Sequence, residues 1–523
     1  MLQCLRMSAI ARLRLIVRVA AMVLVTSLPS VQCLAAQAAA VVPGSRLPPD
    51  RLRVGTLLLQ PCEIGPRAVP GIPTAAAYCT AFDVPEDWDT PSGRHIKLRV
   101  AIVRSNAVRS ERDPVVFLDG GPGGAATEDY AAIANALTLL TLRRDILLID
   151  QRGTGGSNAL DCRDRAGGQP PPVSAKPPEI TSSVQLVQQC LAGVRSHAAP
   201  EHYTTGDAIR DLETVRQALG APQLNLLGTS YGTRVAQQYA ARYPGAVRSI
   251  VLDSAIPNSL ALGSEHARNL ELALQSLFSR CDAVPACKRS FGDSYANLNQ
   301  LRDRLRAQPQ AVTLRDPSSF ELLHLQFSAE DLAAIVRVNA YSSITADLLP
   351  LMLHQAVLGN YEPLLAQKRW LTDDLGSQIS GGMELSVICA EDADLLVVRP
   401  EDAATLLGSE QVTRIQSACA IWPRGSRRAD FHTAFASPLP VLILAGQYDP
   451  VTPPSYGADL LRTLPNARLL VAPGRGHGVL GAGCIPRLVN QFIEELKPQN
   501  LDDRCLRQLV DTPAFIDFNG TPP

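Results

Sequence analysis

Short apolar runs that end in loop-forming residues recur along the chain, and this pattern predicts buried β-strands. Between the runs, 207–219 places apolar residues at helical spacing, with Thr204 and Asp207 as an N-terminal cap and Gly220 as the stop. A further segment, 96–104, alternates apolar with polar or small residues, as a half-buried strand does. Strands that alternate with helices predict an α/β fold with a mostly parallel sheet and helices on both faces. The apolar runs are 115–118, 145–150, 224–227, 250–252, 441–444 and 469–471.

The spacing of apolar residues changes between 257 and 437, where long helical patterns replace the short strand-like runs. One of these patterns begins at Ser328, with Asp331 as its capping partner. We interpret 257–437 as an inserted helical lid that divides the α/β core into 41–256 and 438–523. A buried extension of the core is the alternative. The length of 523 residues fits one catalytic core plus an inserted domain.

Residues 1–40 have the order of a signal peptide: basic, then apolar, then small residues. Arginines precede the apolar stretch 19–28 and an alanine-rich run follows it, with cleavage expected near Ala38 or Ala40. The apolar stretch is too short to span a membrane as a helix. The segment predicts an exported protein, periplasmic or secreted, with no stable membrane insertion after cleavage. An uncleaved anchor is the alternative.

The chain has twelve cysteines, and Cys4 and Cys33 would leave with the signal segment. The others fall in close sequence pairs, which in an exported protein indicates disulfide bonds. Neighbour pairing is the expectation, although the sequence alone leaves the connectivity open. Zinc is the rival interpretation, but no Cys-x-x-Cys pair occurs and the histidines are scattered, so no metal is expected. The paired cysteines are Cys62, Cys79, Cys162, Cys190, Cys281, Cys287, Cys389, Cys419, Cys484 and Cys505.

Charge and composition exclude some classes of function. The formal net charge is −1, so nothing indicates binding to nucleic acid or to an anionic membrane surface. Hydrophobic residues make up 46% of the chain, which is enough for a large buried core.

The motif 228–232, Gly-Thr-Ser-Tyr-Gly, is the strongest indication of a catalytic residue in the sequence. It follows the run 224–227 and precedes a helical pattern, which is the strand–turn–helix setting of a nucleophile elbow. The flanking glycines are required because the turn is too tight for a side chain. Ser230 is the predicted nucleophile, and its hydroxyl needs a base to activate it. An ordinary glycine-rich turn is the alternative.

His477 and Asp449 complete the predicted catalytic triad. His477 lies in a glycine-rich loop after the run 469–471, and an imidazole suits proton transfer near neutral pH. Asp449 directly follows the run 441–444 and would hold the imidazole in the required tautomer. Asp253, after the run 250–252, is the rival for the acid. The order Ser, Asp, His is the one expected of the α/β-hydrolase arrangement.

Backbone N–H groups must stabilise the oxyanion that forms when a serine attacks a carbonyl. Tyr231, next after the nucleophile, is one predicted donor. Gly120 or Gly121, in the glycine-rich loop 119–124, is the other. This loop lacks the Lys-Ser/Thr ending of a P-loop and the spacing of a dinucleotide fingerprint, so it is not interpreted as a phosphate site. A plain turn is the alternative.

Five motifs together resemble those of the proline iminopeptidase and tripeptidyl aminopeptidase family, and the exported, cysteine-paired tripeptidyl aminopeptidase branch is the most similar. The resemblance implies an α/β-hydrolase fold with a helical cap, cleavage of short N-terminal units from peptides, and no metal or organic cofactor. One position departs from the family: Asp119 stands where proline iminopeptidases usually carry His, which weakens the inference to strict proline specificity. The motifs lie at 120–124, 150–155, 228–233, 446–450 and 476–478.

An aminopeptidase must recognise a free, positively charged amine, and acidic groups near the cap take this role in the family. Glu391, in the segment 387–392, is the candidate in this chain. A solvated loop carboxylate beside a disulfide is the alternative.

The sequence predicts an exported serine aminopeptidase that acts on peptides with a free N-terminus through an acyl-enzyme on Ser230. An esterase on small or lipid esters is one alternative, since the same triad serves both chemistries. A non-catalytic binding protein on a hydrolase fold is another, and the presence of all three triad residues in suitable loops argues against it. Whether one or three residues are released stays open.

Overall fold

The computed structural model describes residues 51–66, 74–162, 183–315, 320–373 and 379–521. The predicted signal segment, 1–40, lies outside these ranges. Within them, no helix combines the length and the apolar character that crossing a membrane requires.

A ten-stranded sheet forms the centre of the described part. The strands of the chain are β1 (Leu52–Val54), β2 (Leu57–Ile64), β3 (Ala75–Pro85), β4 (His95–Val103), β5 (Val115–Leu118), β6 (Ile146–Ile149), β7 (Leu224–Thr229), β8 (Val247–Asp253), β9 (Gln310–Arg315), β10 (Leu322–Phe327), β11 (Val441–Gly446) and β12 (Ala467–Ala472). The sheet order is β1-β2-β3-β4-β6-β5-β7-β8-β11-β12. Neighbours from β1 to β6 are antiparallel, and neighbours from β6 to β12 are parallel. The predicted strands are β4 to β8, β11 and β12.

Helices pack on both faces of the sheet, and alternate residues along the strands contribute to two separate hydrophobic cores. Leu226 and Ile250 lie in a core with the helices Thr205–Leu219 and Tyr231–Arg242, whereas Leu227 and Val251 lie in a core with the helices Ala126–Leu137 and Ile485–Glu495. The predicted α/β fold is thereby confirmed. The helices are α1 (Ala126–Leu137), α2 (Ser183–Arg195), α3 (Thr205–Leu219), α4 (Tyr231–Arg242), α5 (His266–Ala283), α6 (Pro285–Phe291), α7 (Ser294–Ala307), α8 (Ala329–Asn339), α9 (Ser343–Ala346), α10 (Leu349–Val357), α11 (Glu362–Asp373), α12 (Gly381–Glu391), α13 (Glu410–Cys419), α14 (Pro454–Leu460) and α15 (Ile485–Glu495).

Two helix starts follow the capping patterns predicted from the sequence. The Thr204 hydroxyl accepts the N–H of Asp207, whose carboxylate accepts the N–H of Thr204, and α3 begins between them. Gly220 ends α3 in the left-handed region, with φ of 67°, which suits glycine because it lacks a Cβ. Ser328 and Asp331 form the same reciprocal cap at the start of α8.

The chain between β8 and β11 contains helices α5 to α13 and the antiparallel hairpin β9–β10, which the sequence did not predict. Helices α5, α7, α8, α10 and α11 share a core of their own. Residues from α12 onward behave differently, since Met383, Val387 and Trp422 join the core on one face of the sheet. The first part of the block therefore packs as a separate unit and the second part as an extension of the sheet core. The exact boundaries at 257 and 437 stay a prediction.

Five disulfides connect cysteines that neighbour one another in the sequence. One of them, Cys389–Cys419, joins α12 to the end of α13. The others are Cys62–Cys79, Cys162–Cys190, Cys281–Cys287 and Cys484–Cys505.

A buried ion pair links the helix that follows the elbow to α12. Arg234 on α4 donates to the Asp392 carboxylate at 2.8 Å, and both side chains are fully shielded from solvent. We expect Asp392→Ala to lower the free energy of unfolding by about 3–5 kcal/mol, because it leaves a buried guanidinium without its counter-charge. Denaturant titration of the purified protein measures this loss. The double variant Arg234→Met/Asp392→Leu is the control and should be less destabilised than Asp392→Ala; equal or greater loss would contradict the explanation.

Candidate active site

The backbone around Ser230 has the geometry of a nucleophile elbow. Ser230 lies between the end of β7 and the start of α4, with φ of 54° and ψ of −122°, a conformation that costs energy in any residue but glycine. The turn is tight on both sides. A Cβ on Gly228 would lie 2.4 Å from the carbonyl oxygen of Gly232, and one on Gly232 would lie 2.0 Å from that of Leu118. These contacts explain why both flanking residues are glycine.

The structure brings His477 and Asp449 together. Nδ1 of His477 lies 2.8 Å from Oδ2 and 3.0 Å from Oδ1 of the Asp449 carboxylate. Asp449 is 2% exposed and also accepts the N–H groups of Val451 and Thr452 and the hydroxyl of Thr452. Burial alone would raise the pKa of Asp449, but the charge of His477 and these hydrogen bonds hold it below its usual value. The carboxylate therefore stays ionised beside the imidazole.

His477 is fixed by its main chain as well as by Asp449. Its N–H donates to the carbonyl oxygen of Tyr341 at 2.7 Å, and the Tyr341 ring meets the imidazole edge-on at 5.0 Å between centroids. Burial lowers the pKa of His477, but the charge of Asp449 outweighs that effect and raises the pKa above its ordinary value. An imidazolium formed during a reaction is thus stabilised in place.

Asp253, the rival acid, serves a different purpose. Its carboxylate accepts the N–H groups of Val479 and Leu480, so it holds the loop that follows His477. Its main-chain oxygen accepts the N–H of Ser230 at 2.9 Å. Asp253 therefore ties the serine elbow to the histidine loop. Burial raises the pKa of its carboxyl to about 6.

The glycine-rich loop after β5 lies against the elbow. A Cβ on Gly120 would lie 3.2 Å from Cβ of Ser230. The N–H of Gly120 donates to Oδ1 of the preceding Asp119 at 2.7 Å, so it is already engaged. In the described ranges the N–H of Gly121 has no acceptor, and Gly121 is exposed. Tyr231 is the first residue of α4, where an N–H has no acceptor inside the helix. Of the two glycines, the geometry favours Gly121 as the donor.

Glu391 does not fit the role expected of it. Its side chain is fully buried, and its carboxylate accepts the main-chain N–H of Thr205 at 2.6 Å and the Thr205 hydroxyl at 2.9 Å. Burial raises the pKa of this carboxyl to about 8. Glu391 is therefore engaged by the first residue of α3 and is not accessible to a substrate amine. The sequence showed an acidic pair beside a cysteine but could not show that the start of α3 covers Glu391.

Glu384, two turns earlier on α12, is a carboxylate that the sequence analysis missed. It is exposed to solvent, yet the surrounding protein desolvates it and raises the pKa of its carboxyl, and the charge of Arg337 opposes that rise. Its helix starts beside the glycine-rich loop, because the N–H of Ser380 donates to the carbonyl oxygen of Gly123 at 3.0 Å.

Arg337 and His266 were also missed, since neither lies in a glycine-rich loop. Nη2 of Arg337 lies 3.3 Å from Nδ1 of His266. Burial and the charge of Arg337 lower the pKa of His266 to about 3, so this imidazole is neutral. The charge of Arg337 also disfavours protonation of His477, which partly offsets the effect of Asp449. Within the described ranges no group of three or more His, Cys, Asp or Glu residues is placed to hold a metal ion.

Known proteins that are similar to this chain include two relatives and one solved structure. The chain is 25% identical over 448 residues to the serine protease Hip1 of Mycobacterium tuberculosis, which covers 80% of this chain and 85% of that protein. It is 32% identical over 188 residues to the tripeptidyl aminopeptidase of Streptomyces lividans, or 34% of this chain and 35% of that one. The crystal structure of the Mycobacterium smegmatis proline iminopeptidase matches with a TM-score of 0.40 and 17% identity, covering 80% of this chain and 99% of that one.

A family model also covers most of the chain. The model for the alpha/beta hydrolase fold matches residues 113–481, which include the elbow, Asp449 and His477. Together with the two relatives, the match shows that the chain is a serine hydrolase. The chain belongs to the alpha/beta hydrolase family.

Proposed function

We propose that the protein is an exported serine aminopeptidase that releases short N-terminal units from peptides through an acyl-enzyme on Ser230. The observation that carries the chemistry is the contact of His477 Nδ1 with the buried Asp449 carboxylate, in a loop that Asp253 ties to the serine elbow. The relatives named serine protease and tripeptidyl aminopeptidase support a peptidase. The five disulfides support export, because such bonds persist in oxidising compartments.

The proposed reaction uses Ser230, His477 and Asp449 in succession. Because Asp449 accepts the proton on Nδ1, Nε2 of His477 is free to take the proton of the Ser230 hydroxyl as the oxygen attacks the carbonyl. The N–H groups of Tyr231 and Gly121 would receive the oxyanion. His477 then protonates the leaving amine. A water molecule, activated by the same imidazole, hydrolyses the acyl-enzyme and restores Ser230.

Glu384 is the proposed partner of the substrate's free amine. It is exposed, it is on the helix that starts against the glycine-rich loop, and it has no cation within ion-pair distance in the described ranges. An ammonium group that binds there would keep the carboxylate ionised and would gain from the reduced dielectric of the cleft. The amine would thus place the substrate's N-terminus at a fixed distance from Ser230, which limits the length of the released unit.

The test compares three chromogenic substrates: a free-amine tripeptidyl anilide, its N-acetylated twin and a short acyl ester. We expect the wild-type protein to cleave the free-amine anilide and to leave the acetylated twin intact. Turnover of the ester alone would establish an esterase, and no turnover of any of the three would establish a non-catalytic protein. Either outcome overturns the proposed peptidase.

Glu384→Gln tests the amine site directly. We expect kcat/KM for the free-amine anilide to fall roughly 10- to 100-fold, because the amide cannot form a charge-assisted bond to the ammonium. Turnover of the ester, where detectable, should change little. Glu391→Gln is the matched control on the same helix, and it should affect stability without changing the preference for a free amine. A loss of that preference in Glu391→Gln but not in Glu384→Gln would contradict the assignment.

A further inference from the structure

The glycine-rich loop begins at an aspartate whose carboxyl group is only half satisfied by hydrogen-bond donors. Oδ1 of Asp119 accepts the N–H of Gly120 at 2.7 Å. Oδ2 is fully buried and has no hydrogen-bond donor in the described ranges. Gly124 closes over this oxygen, since a Cβ at that position would lie 2.9 Å from it. An ionised carboxylate would leave a buried negative charge there without compensation.

The carboxyl group of Asp129, in the first turn of α1, faces that of Asp119 closely enough for each to shift the pKa of the other. Two carboxylates are both acceptors, so a hydrogen bond between them requires that one carries a proton. Like charges at this distance do not both ionise readily. One proton between the two carboxyl groups would remove the repulsion and supply a donor.

The other charged groups around the pair reinforce this arrangement. Asp150, directly after β6, faces the pair with a further negative charge while it accepts the N–H and hydroxyl of Thr127 and the N–H of Gly156. Arg99 on β4 faces Asp150. The pKa of Asp119 is raised well above its ordinary value, mainly by burial and further by the neighbouring carboxylates. Burial also raises the pKa of Asp129.

We propose that the proton shared by Asp119 and Asp129 is the clamp that positions the glycine-rich loop, so that the N–H of Gly121 faces the oxyanion. Asp119 and Asp129 are then positioning residues, because neither touches the substrate. Asp119 takes the N–H of Gly120 and leaves that of Gly121 free. Asp129 anchors the loop to α1. The inference rests on the proposed oxyanion role of Gly121 and not on the kind of bond that is cleaved.

The stability that the clamp contributes depends on pH. Removal of the shared proton places two negative charges side by side, and Asp119 would move away with the loop. The native protein therefore binds a proton that the unfolded chain, with its lower carboxyl pKa values, has already lost. The stability contributed by the pair is present at low pH and falls as the pH rises through the raised pKa. We expect kcat to fall over the same alkaline range, although His477 is then neutral and competent.

The pH dependence of kcat in the wild type and in Asp129→Asn tests the clamp, with whichever of the three chromogenic substrates the wild type cleaves. An asparagine amide donates to the Asp119 carboxylate without a titratable proton. We expect near-wild-type kcat at neutral pH and an alkaline limb that is lost or displaced upward. A wild-type kcat that stays level at alkaline pH, or an alkaline limb unchanged in Asp129→Asn, would overturn the proposal.

Asp129→Ala provides the opposing variant, because alanine removes the clamp entirely. We expect kcat to fall about 100-fold, close to the loss of one oxyanion donor, with KM little changed, since the oxyanion forms only in the transition state. Circular dichroism confirms that the variant is folded. Loss of kcat in both variants to the same extent would also contradict a clamp, because the asparagine should rescue it. Since the substrate is chosen by wild-type turnover, failure of the aminopeptidase proposal leaves this test intact.

Discussion

Replacement of Ser230 with alanine is expected to lower kcat by about 10⁶-fold, to the level that substrate binding and the oxyanion donors alone sustain. The positive φ of 54° at Ser230 is the strained conformation by which a nucleophile elbow exposes its hydroxyl. Without that hydroxyl no acyl-enzyme forms. The measurement is kcat on the cleaved substrate, together with labelling by a fluorophosphonate, which should modify the wild type and leave Ser230→Ala unlabelled.

Ser254 offers a demanding control for that experiment. It also has a positive φ, of 59°, and it follows a parallel strand, β8. Its hydroxyl, however, accepts the N–H of Gly478 at 2.9 Å and so supports the histidine loop. We expect Ser254→Ala to lose far less activity than Ser230→Ala and to remain labelled. An inactive, unlabelled Ser254→Ala beside an active Ser230→Ala would show that the nucleophile is assigned wrongly.

The elbow was predictable because its causes are local. A strand run, two glycines and a helical pattern in immediate succession determine where Ser230 lies and why its neighbours lack side chains. Asp449 and His477 were predictable for a related reason. Each lies in the loop that follows a parallel strand, and the carboxyl ends of parallel strands meet at one edge of the sheet.

The proposed amine site was not predictable, because the exposure of a carboxylate is set by distant parts of the chain. Glu384 and Glu391 are on the same helix, two turns apart, and nothing in their local sequence separates them. The start of α3, far away in the sequence, covers Glu391 and supplies its hydrogen-bond donors. The same reasoning applies to the glycine-rich loop. The sequence left Gly120 and Gly121 equivalent, and the side chain of Asp119 distinguishes them.

The inserted block shows where periodicity is informative and where it is not. Its helices were predicted from their apolar spacing, and the cap at Ser328 was predicted from two residues. The hairpin β9–β10 was missed, because it pairs with itself outside the main sheet and buries few of its residues. The division of the block into a separate core and an extension of the sheet core depends on packing partners, which no local pattern encodes.

Replacement of the acid of the proposed triad is the second change that we expect to lower kcat strongly. We expect Asp449→Asn to lower kcat by about 10⁴-fold, because an asparagine amide would donate to Nδ1 of His477 and so leave the proton on Nε2. Nε2 could then no longer accept the proton of Ser230. The pKa of His477 should fall as well, since burial and Arg337 both lower it once the charge of Asp449 is removed. The acid limb of the residual activity should therefore move to lower pH, which a pH profile of kcat/KM measures.

Asp253→Asn is the matched variant, because both aspartates are buried, follow adjacent strands and influence His477. Asp253 receives two main-chain N–H groups and does not touch the imidazole. An asparagine oxygen can still accept at least one of them, so we expect a smaller loss, roughly tenfold, together with reduced stability. Comparison of the two variants distinguishes the orientation of the His477 imidazole from the support of the loop that carries it. A greater loss in Asp253→Asn than in Asp449→Asn would transfer the acid's role to Asp253 and leave the Asp449 contact as a feature of the resting enzyme alone.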